Sequence, residues 1–255
     1  MILRCVNDIK RNCALNIALD EVFFTKEPFE NIFRFYRWKQ KAYTIGYFQQ
    51  NSDKLFPSAH TIKYPVVRRL TGGLAVLHDT DLSYSLIVSD DIWKYIYDQE
   101  KTYKIIHENI RKALEKIGIF SIYNVQCTMY NKRQTSINNA GLPREKSSFA
   151  MTNKGTIKQN FSCVQTLYKD DLFLDGRKIV GSCQRRRGKR ILVEGSIHLK
   201  LSEEQINIFT EDFFKKLSQE LKCGIVNNSL TEEEINKGRK LCTEKYGNEK
   251  WNKLF

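Results

Sequence analysis

Three short stretches of this chain hold residues whose types and spacing suit chemistry. The first is Arg68-Arg69-Leu70-Thr71-Gly72-Gly73-Leu74-Ala75-Val76-Leu77-His78-Asp79. Two arginines end a strand-like run. Two glycines then let the backbone turn and approach a ligand closely, with amides open to a carbonyl or phosphate oxygen. On the local pattern alone, an ordinary glycine turn with exposed arginines fits as well. His78, following an apolar run, reads as a satisfied, half-buried residue rather than a proton carrier.

The second stretch is Asp175-Gly176-Arg177-Lys178-Ile179-Val180-Gly181-Ser182-Cys183-Gln184. A hairpin turn launches a strand in which apolar residues separate Lys178 from Gly181-Ser182. If that strand lines a pocket, the Lys178 ammonium faces a carbonyl oxygen and favours the charge that develops there. Spacing alone favours a solvent-facing lysine. The third stretch follows directly, with Arg185, Arg186, Arg187, Lys189 and Arg190 around Gly188. Such a cluster suits phosphate or nucleic acid. No aromatic residues interleave it to stack bases, and it sits between two strands, so a basic hairpin tip docking an acidic protein fits as well, as does a solvated loop.

Elements that must position these residues follow from periodicity. Residues 12–25 carry Leu15, Ala18, Leu19, Val22 and Phe23 at helical spacing. Strand-like runs cover 31–38, 42–47, 63–69 and 82–88, the last with Leu82, Tyr84, Leu86 and Val88 on one face. A helix over 99–117 ends at Gly118, and 131–160 is a long polar excursion of the kind that is usually functional or mobile. Strands resume at 171–175, turn at Asp175-Gly176, and continue through 177–183 and 191–200. Ser202 with Gln205 and Thr231 with Glu234 have capping-box spacing, predicting helices over 202–221 and 231–246. Hairpins mixed with helices, rather than repeated βα units, predict an α+β fold with a mixed, largely antiparallel sheet.

At 255 residues, 41% hydrophobic, the chain suits one large domain with an appendage; the division expected is 1–225 and a helical extension over 226–255. A net charge of +13 points to a partner that is acidic where it makes contact. The seven cysteines, at 5, 13, 127, 163, 183, 223 and 242, form no CxxC pair, so neither a zinc ribbon nor any other metal site is expected. No apolar run is long enough to cross a membrane and no signal-like segment opens the chain, so a cytoplasmic protein with reduced thiols is expected.

Together these segments resemble the lipoate–protein ligase A and octanoyltransferase family. The similarity runs from Asn16-Ile17-Ala18-Leu19-Asp20-Glu21 through Phe35-Tyr36-Arg37-Trp38 and Gly46-Tyr47-Phe48-Gln49. It continues through the Arg68–Asp79 stretch, Tyr84-Ser85-Leu86, Gly176–Ser182 with Gln184, and Gly195-Ser196-Ile197. Each motif is weak alone; seven in order are specific. The resemblance implies the biotin/lipoate protein ligase catalytic-domain fold, akin to class II aminoacyl-tRNA synthetases, with flanking helices. It implies that Lys178 faces an acyl carbonyl. It implies an acyl pocket walled by Arg68, Arg69, Thr71, Gly72, Gly73, His78, Gly181, Ser182 and Gln184.

Transferases of this family take octanoyl from acyl carrier protein through a cysteine thioester. Cys163 stands thirteen residues before Gly176, where the resemblance puts that nucleophile. The residues after it, Val164 and Gln165-Thr166-Leu167, depart from the family's Phe and Pro-Ser. Cys183 reads as a small core residue. The acceptor is then a lysine on a lipoyl domain, such as the glycine-cleavage H protein or a 2-oxoacid dehydrogenase acyltransferase subunit, and the transferase needs no cofactor. An amidotransferase moving octanoyl between lipoyl domains is a variant of this reading. The family's ligases use ATP and Mg instead. Leu74 replaces the family's third glycine, and its side chain narrows the room for an adenylate phosphate. On this reading Arg185–Arg190 steer acidic protein partners, and neither nucleic acid nor membrane is a partner.

Overall fold

A computed structural model describes residues 1–50, 64–95, 97–123 and 168–253. Cys163 and the 131–160 excursion lie outside the described residues. Among those described, eight strands form one sheet in the order β11-β1-β2-β6-β10-β9-β8-β7. They are β1 (Ile2–Arg11), β2 (Ile32–Trp38), β6 (Leu82–Ser89), β7 (Ile122–Tyr123), β8 (Leu172–Leu174), β9 (Arg177–Arg187), β10 (Arg190–Ile197) and β11 (Gly224–Asn227). β1 runs parallel to both β11 and β2, and every other neighbouring pair is antiparallel. The mixed, largely antiparallel sheet is therefore as expected. A smaller sheet, β4 (Val66–Arg68), β3 (Ala42–Ile45) and β5 (Val76–His78), carries the arginine and His78 ends of the first motif.

Alternation along β6 and β10 separates the two faces of the large sheet. Tyr84, Leu86 and Val193 join Phe33 and Phe35 under α2 (Gln99–Lys116) and α3 (Glu203–Leu221). Phe213 of α3 packs 4.7 Å from Phe33 and 5.0 Å from Phe35, ring centre to ring centre. The opposite face presents Ile87 and Leu192 to α1 (Cys13–Thr25), but also Ser85 and Glu194, and there the lining turns polar. Arg34, fully buried beneath α1, binds Asp20 at 3.0 Å, Asp8 at 3.0 Å and Asn16 Oδ1 at 2.7 Å.

Both capping boxes form, on Ser202 before α3 and on Thr231 before α4 (Glu232–Leu241). The helix expected to run to 246 instead widens after Leu241 into a π-helical turn, Cys242–Tyr246. That turn buries Tyr246, whose hydroxyl donates to Glu21 Oε2 at 2.6 Å. The boundary expected at 225/226 falls inside β11, a strand paired with β1, and α5 (Glu249–Asn252) returns to β4 through Trp251 and Asn252. Periodicity does not anticipate β1, β5, β7 or β11. β9 runs to Arg187 rather than 183, because Arg185, Arg186 and Arg187 pair across to Leu192, Ile191 and Arg190 of β10.

Candidate active site

A cavity of about 200 Å³ opens between α1, the small sheet, β9 and β10. Tyr36, Trp38, Leu74, Val76, Tyr103 and Tyr168 give it mostly apolar walls. Lys178 enters it from β9. A bulge opposite Leu172 and Phe173 inserts one extra residue in β9 and brings Lys178 to the face shared by Gly181 and Cys183. Its ammonium lies 2.8 Å from Asp171 Oδ2, with side chains only 7% and 3% exposed. Burial pushes the Asp171 carboxyl up against the pull of Lys178. Gly181 makes the seat: a Cβ there would stand 2.6 Å from Lys178 Cε and 2.8 Å from Nζ.

The Gly72-Gly73 turn forms the facing wall. Gly46 allows it, since a Cβ at 46 would stand 1.8 Å from the Gly73 carbonyl oxygen. Arg69 braces the turn from within, donating to the carbonyls of Gly72 at 2.6 Å and Leu74 at 3.0 Å. Arg68 does not line the cavity. It is fully buried and donates to the carbonyls of Gly46, Tyr47, Gln49, Trp251 and Asn252, tying the preceding loop to the C-terminal helix. Thr71 sits behind the wall, its hydroxyl donating to Glu194 Oε2.

His78 is buried in the cavity wall, stacked 3.9 Å from Trp38. Its Nδ1 meets Asp81 Oδ2 at 2.8 Å and its Nε2 meets Thr44 Oγ1 at 2.9 Å. Both nitrogens are thus engaged, as expected of a satisfied histidine. Ser182 Oγ contacts Tyr84 OH at 2.6 Å and His107 Nε2 at 2.7 Å, while His107 Nδ1 donates to the Asp170 carbonyl at 2.5 Å. Burial holds the His107 imidazole down at about 4, so it is neutral at pH 7. This chain fixes the turn that carries Asp171 beside Lys178.

The structure therefore brings Arg69, Gly72, Gly73, His78, Lys178, Gly181, Ser182 and Gln184 to one cavity and leaves Arg68 and Thr71 behind its wall. Cys183, expected in the core, also lines it, with Sγ 3.0 Å from Thr71 Oγ1. The basic run is not one hairpin tip. Arg185 is turned back onto the Leu70 carbonyl at 3.1 Å and over the Tyr47 ring at 4.5 Å; Arg186 reaches the Tyr97 carbonyl and Arg190 reaches Glu27. Arg187 and Lys189 stand exposed at the turn. Asp171, His107 and Glu194 were not singled out from the sequence. Glu194 left a trace there: an acid in Ile-Leu-Val-Glu, on the inward side shared with Leu192.

Residues 12–232 match the lipoyl protein ligase A/B catalytic domain. The chain belongs to that family. Among lipoyl ligase relatives, the octanoyltransferase LipM of Bacillus subtilis is 31% identical over 197 residues, 76% of this chain and 64% of that protein, so this chain spans under two thirds of its length in that match. The octanoyltransferase LipM of Clostridioides difficile is 28% identical over 274 residues, 98% of each. The fold is that of lipoate-protein ligase A bound with ATP, at a TM-score of 0.69 and 20% identity with both chains covered in full. It also matches one chain of a structure described as a bipartite lipoate protein ligase and its E2 lipoyl domain from Thermoplasma acidophilum, at a TM-score of 0.64 and 19% identity over 100% of this chain and 98% of that one. The biotin/lipoate ligase fold expected from the motifs is thus the one adopted. No described helix is long and apolar enough to cross a membrane, and the described residues hold no cluster that would bind a metal.

Proposed function

We propose that this chain moves an octanoyl group from octanoyl-acyl carrier protein, through a thioester on Cys163, to a lysine of a lipoyl domain such as the glycine-cleavage H protein. The observation that carries the reading is Lys178, a cation held at an apolar cavity by Asp171 and Gly181. A carbonyl oxygen brought to that ammonium is polarised, and the oxyanion formed on attack is stabilised there. The same charge favours a thiolate nearby. The apolar walls bind the alkyl chain, each buried methylene contributing about 0.8 kcal/mol. The names of the relatives support octanoyl as the group transferred.

Arg187 and Lys189, exposed at the β9–β10 turn, steer the acidic partners, and the transferase uses no cofactor. A second reading, an ATP- and Mg-dependent lipoate–protein ligase, draws on the fold of the ATP-bound relative. Two features weigh against it: Leu74 lines the cavity where a glycine would leave room, and Arg69 is engaged by backbone carbonyls.

The test is intact-protein mass after mixing with octanoyl-acyl carrier protein. The expected product is one octanoyl adduct, removed by hydroxylamine and missing in Cys163→Ala. Unimpaired transfer by Cys163→Ala, or robust pyrophosphate release from octanoate and ATP, refutes the thioester route.

A further inference from the structure

Glu194 is an acid that nothing above employs. It stands on β10 with 4% of its surface exposed, yet it lines the cavity. One oxygen, Oε2, accepts the Thr71 hydroxyl. The other, Oε1, is buried and has no hydrogen-bond partner among the described residues. A buried carboxylate oxygen without a partner is costly to keep, and a cavity is where a ligand can supply the missing donor.

The surroundings define what that donor is. Cys183 on β9 and Ser85 on β6 are the cross-strand neighbours of Glu194. Arg69 acts on it from the glycine turn, Asp20 repels it from α1, and Tyr36 on β2 and Tyr246 face it across the same interior. Arg34 is bound to Asp20 and Asp8 instead. Burial, and then repulsion by Asp20, lift the Glu194 carboxyl to about 7 against the Thr71 side-chain hydrogen bond, the pull of Arg69 and the Thr71 backbone N–H. Such a group is ionised in part at neutral pH and accepts a proton readily.

The geometry points to Glu194 as the subsite for the attacking primary amine: its carboxylate receives the acceptor lysine as an ammonium and removes a proton from it. The inference rests on the amine-accepting half of the reaction proposed above and adds the group that activates the amine. The lysine arrives with three protons on nitrogen. One passes to Glu194 Oε1, and the freed lone pair attacks the acyl carbonyl. The C–N bond forms as the C–S bond breaks, the second proton goes to the departing thiolate, and the third remains on the amide. The Lys178 ammonium faces the carbonyl and stabilises the oxyanion.

The test is the pH dependence of amide formation, measured by mass of the lipoyl domain in single turnovers. The wild-type rate should rise through about pH 7 and then flatten, because above that pH the carboxylate–ammonium pair is fully formed until the lysine itself titrates near roughly 10.4. Glu194→Gln should lower the rate at pH 7.5 by about 100-fold or more and replace the plateau with a rise of about tenfold per pH unit toward the amine's own pKa. Thr71→Val, which removes the side-chain hydrogen bond that helps hold the carboxyl down and keeps the backbone one, should move the midpoint upward. A plateau that survives in Glu194→Gln, or a midpoint that Thr71→Val leaves in place, overturns the assignment. Should Glu194→Gln fail to fold, the Thr71→Val midpoint decides. The amine step is the same for a thioester and an adenylate. The comparison is therefore run with octanoyl-acyl carrier protein and with octanoate plus ATP, and a failed thioester route does not decide the fate of Glu194.

Discussion

Replacing Gly181 by alanine puts one methyl group into the seat of the Lys178 ammonium. A Cβ at 181 stands 2.6 Å from Lys178 Cε, and the next obstacle, Asp171 Oδ1, is at 3.4 Å. The lysine tip must therefore withdraw by about 0.8 Å to restore ordinary contact, and a misplacement on the order of 1 Å costs roughly 100-fold in rate. That corresponds to about 2.7 kcal/mol of transition-state stabilisation. Stability should suffer less, since the displaced atoms end a flexible side chain and Asp171 keeps the Tyr168 N–H at 2.7 Å. A weakened ion pair of this kind costs about 1–2 kcal/mol, and for a chain of this size that lowers Tm by roughly 2–8 °C. The assay is octanoyl transfer from octanoyl-acyl carrier protein to a lipoyl domain, followed by mass, with thermal unfolding alongside. The double variant Gly181→Ala with Lys178→Ala should be no slower than Lys178→Ala alone, because the methyl group acts only through the lysine. Wild-type rate in Gly181→Ala, or a double variant slowed by the product of the two single effects, would falsify this account of the seat.

Two further outcomes follow from the buried histidine and the basic turn. Burial lowers the His107 imidazole from its unfolded value near 6.5 to about 4. The unfolded chain therefore binds the extra proton between those values, and the fold loses about 3 kcal/mol as pH falls from about 6.5 to about 4; His107→Gln should flatten that part of the urea-denaturation profile, and an unchanged slope counts against a neutral His107. Neutralising Arg187 and Lys189 should slow association with an acidic lipoyl domain at low salt, with little change in the acylation step at saturation, because exposed rim charges act mainly on encounter rate. Stopped-flow association that ignores both substitutions, together with tight nucleic-acid binding in a gel-shift titration, would return the basic turn to the nucleic-acid reading.

What the sequence determined was local. The capping boxes at Ser202 and Thr231, the Asp175-Gly176 turn with positive φ at both residues, and Gly118 beyond α2 depend on near neighbours alone, so residue type decides them. The alternation of β6 was visible because one face meets a core and the other meets small polar groups. The Gly72-Gly73 turn and Lys178 could be linked to one pocket because their motifs occur together in one family.

Tertiary structure decided the rest. β1, β5 and β11 have no strong period of their own and become strands because partners distant in sequence satisfy their backbones. Arg68 and Arg69 are alike in the sequence, yet Arg68, the last residue of β4, clamps the C-terminal helix, while Arg69, just past the strand end, braces the glycine turn; which carbonyls surround each guanidinium is set by segments distant in sequence. Asp171, His107 and Glu194 gain their roles from burial beside groups 7, 63 and 123 positions away. Desolvation moves a proton affinity only once the chain has closed around the group, and no run of neighbouring residues records that closure.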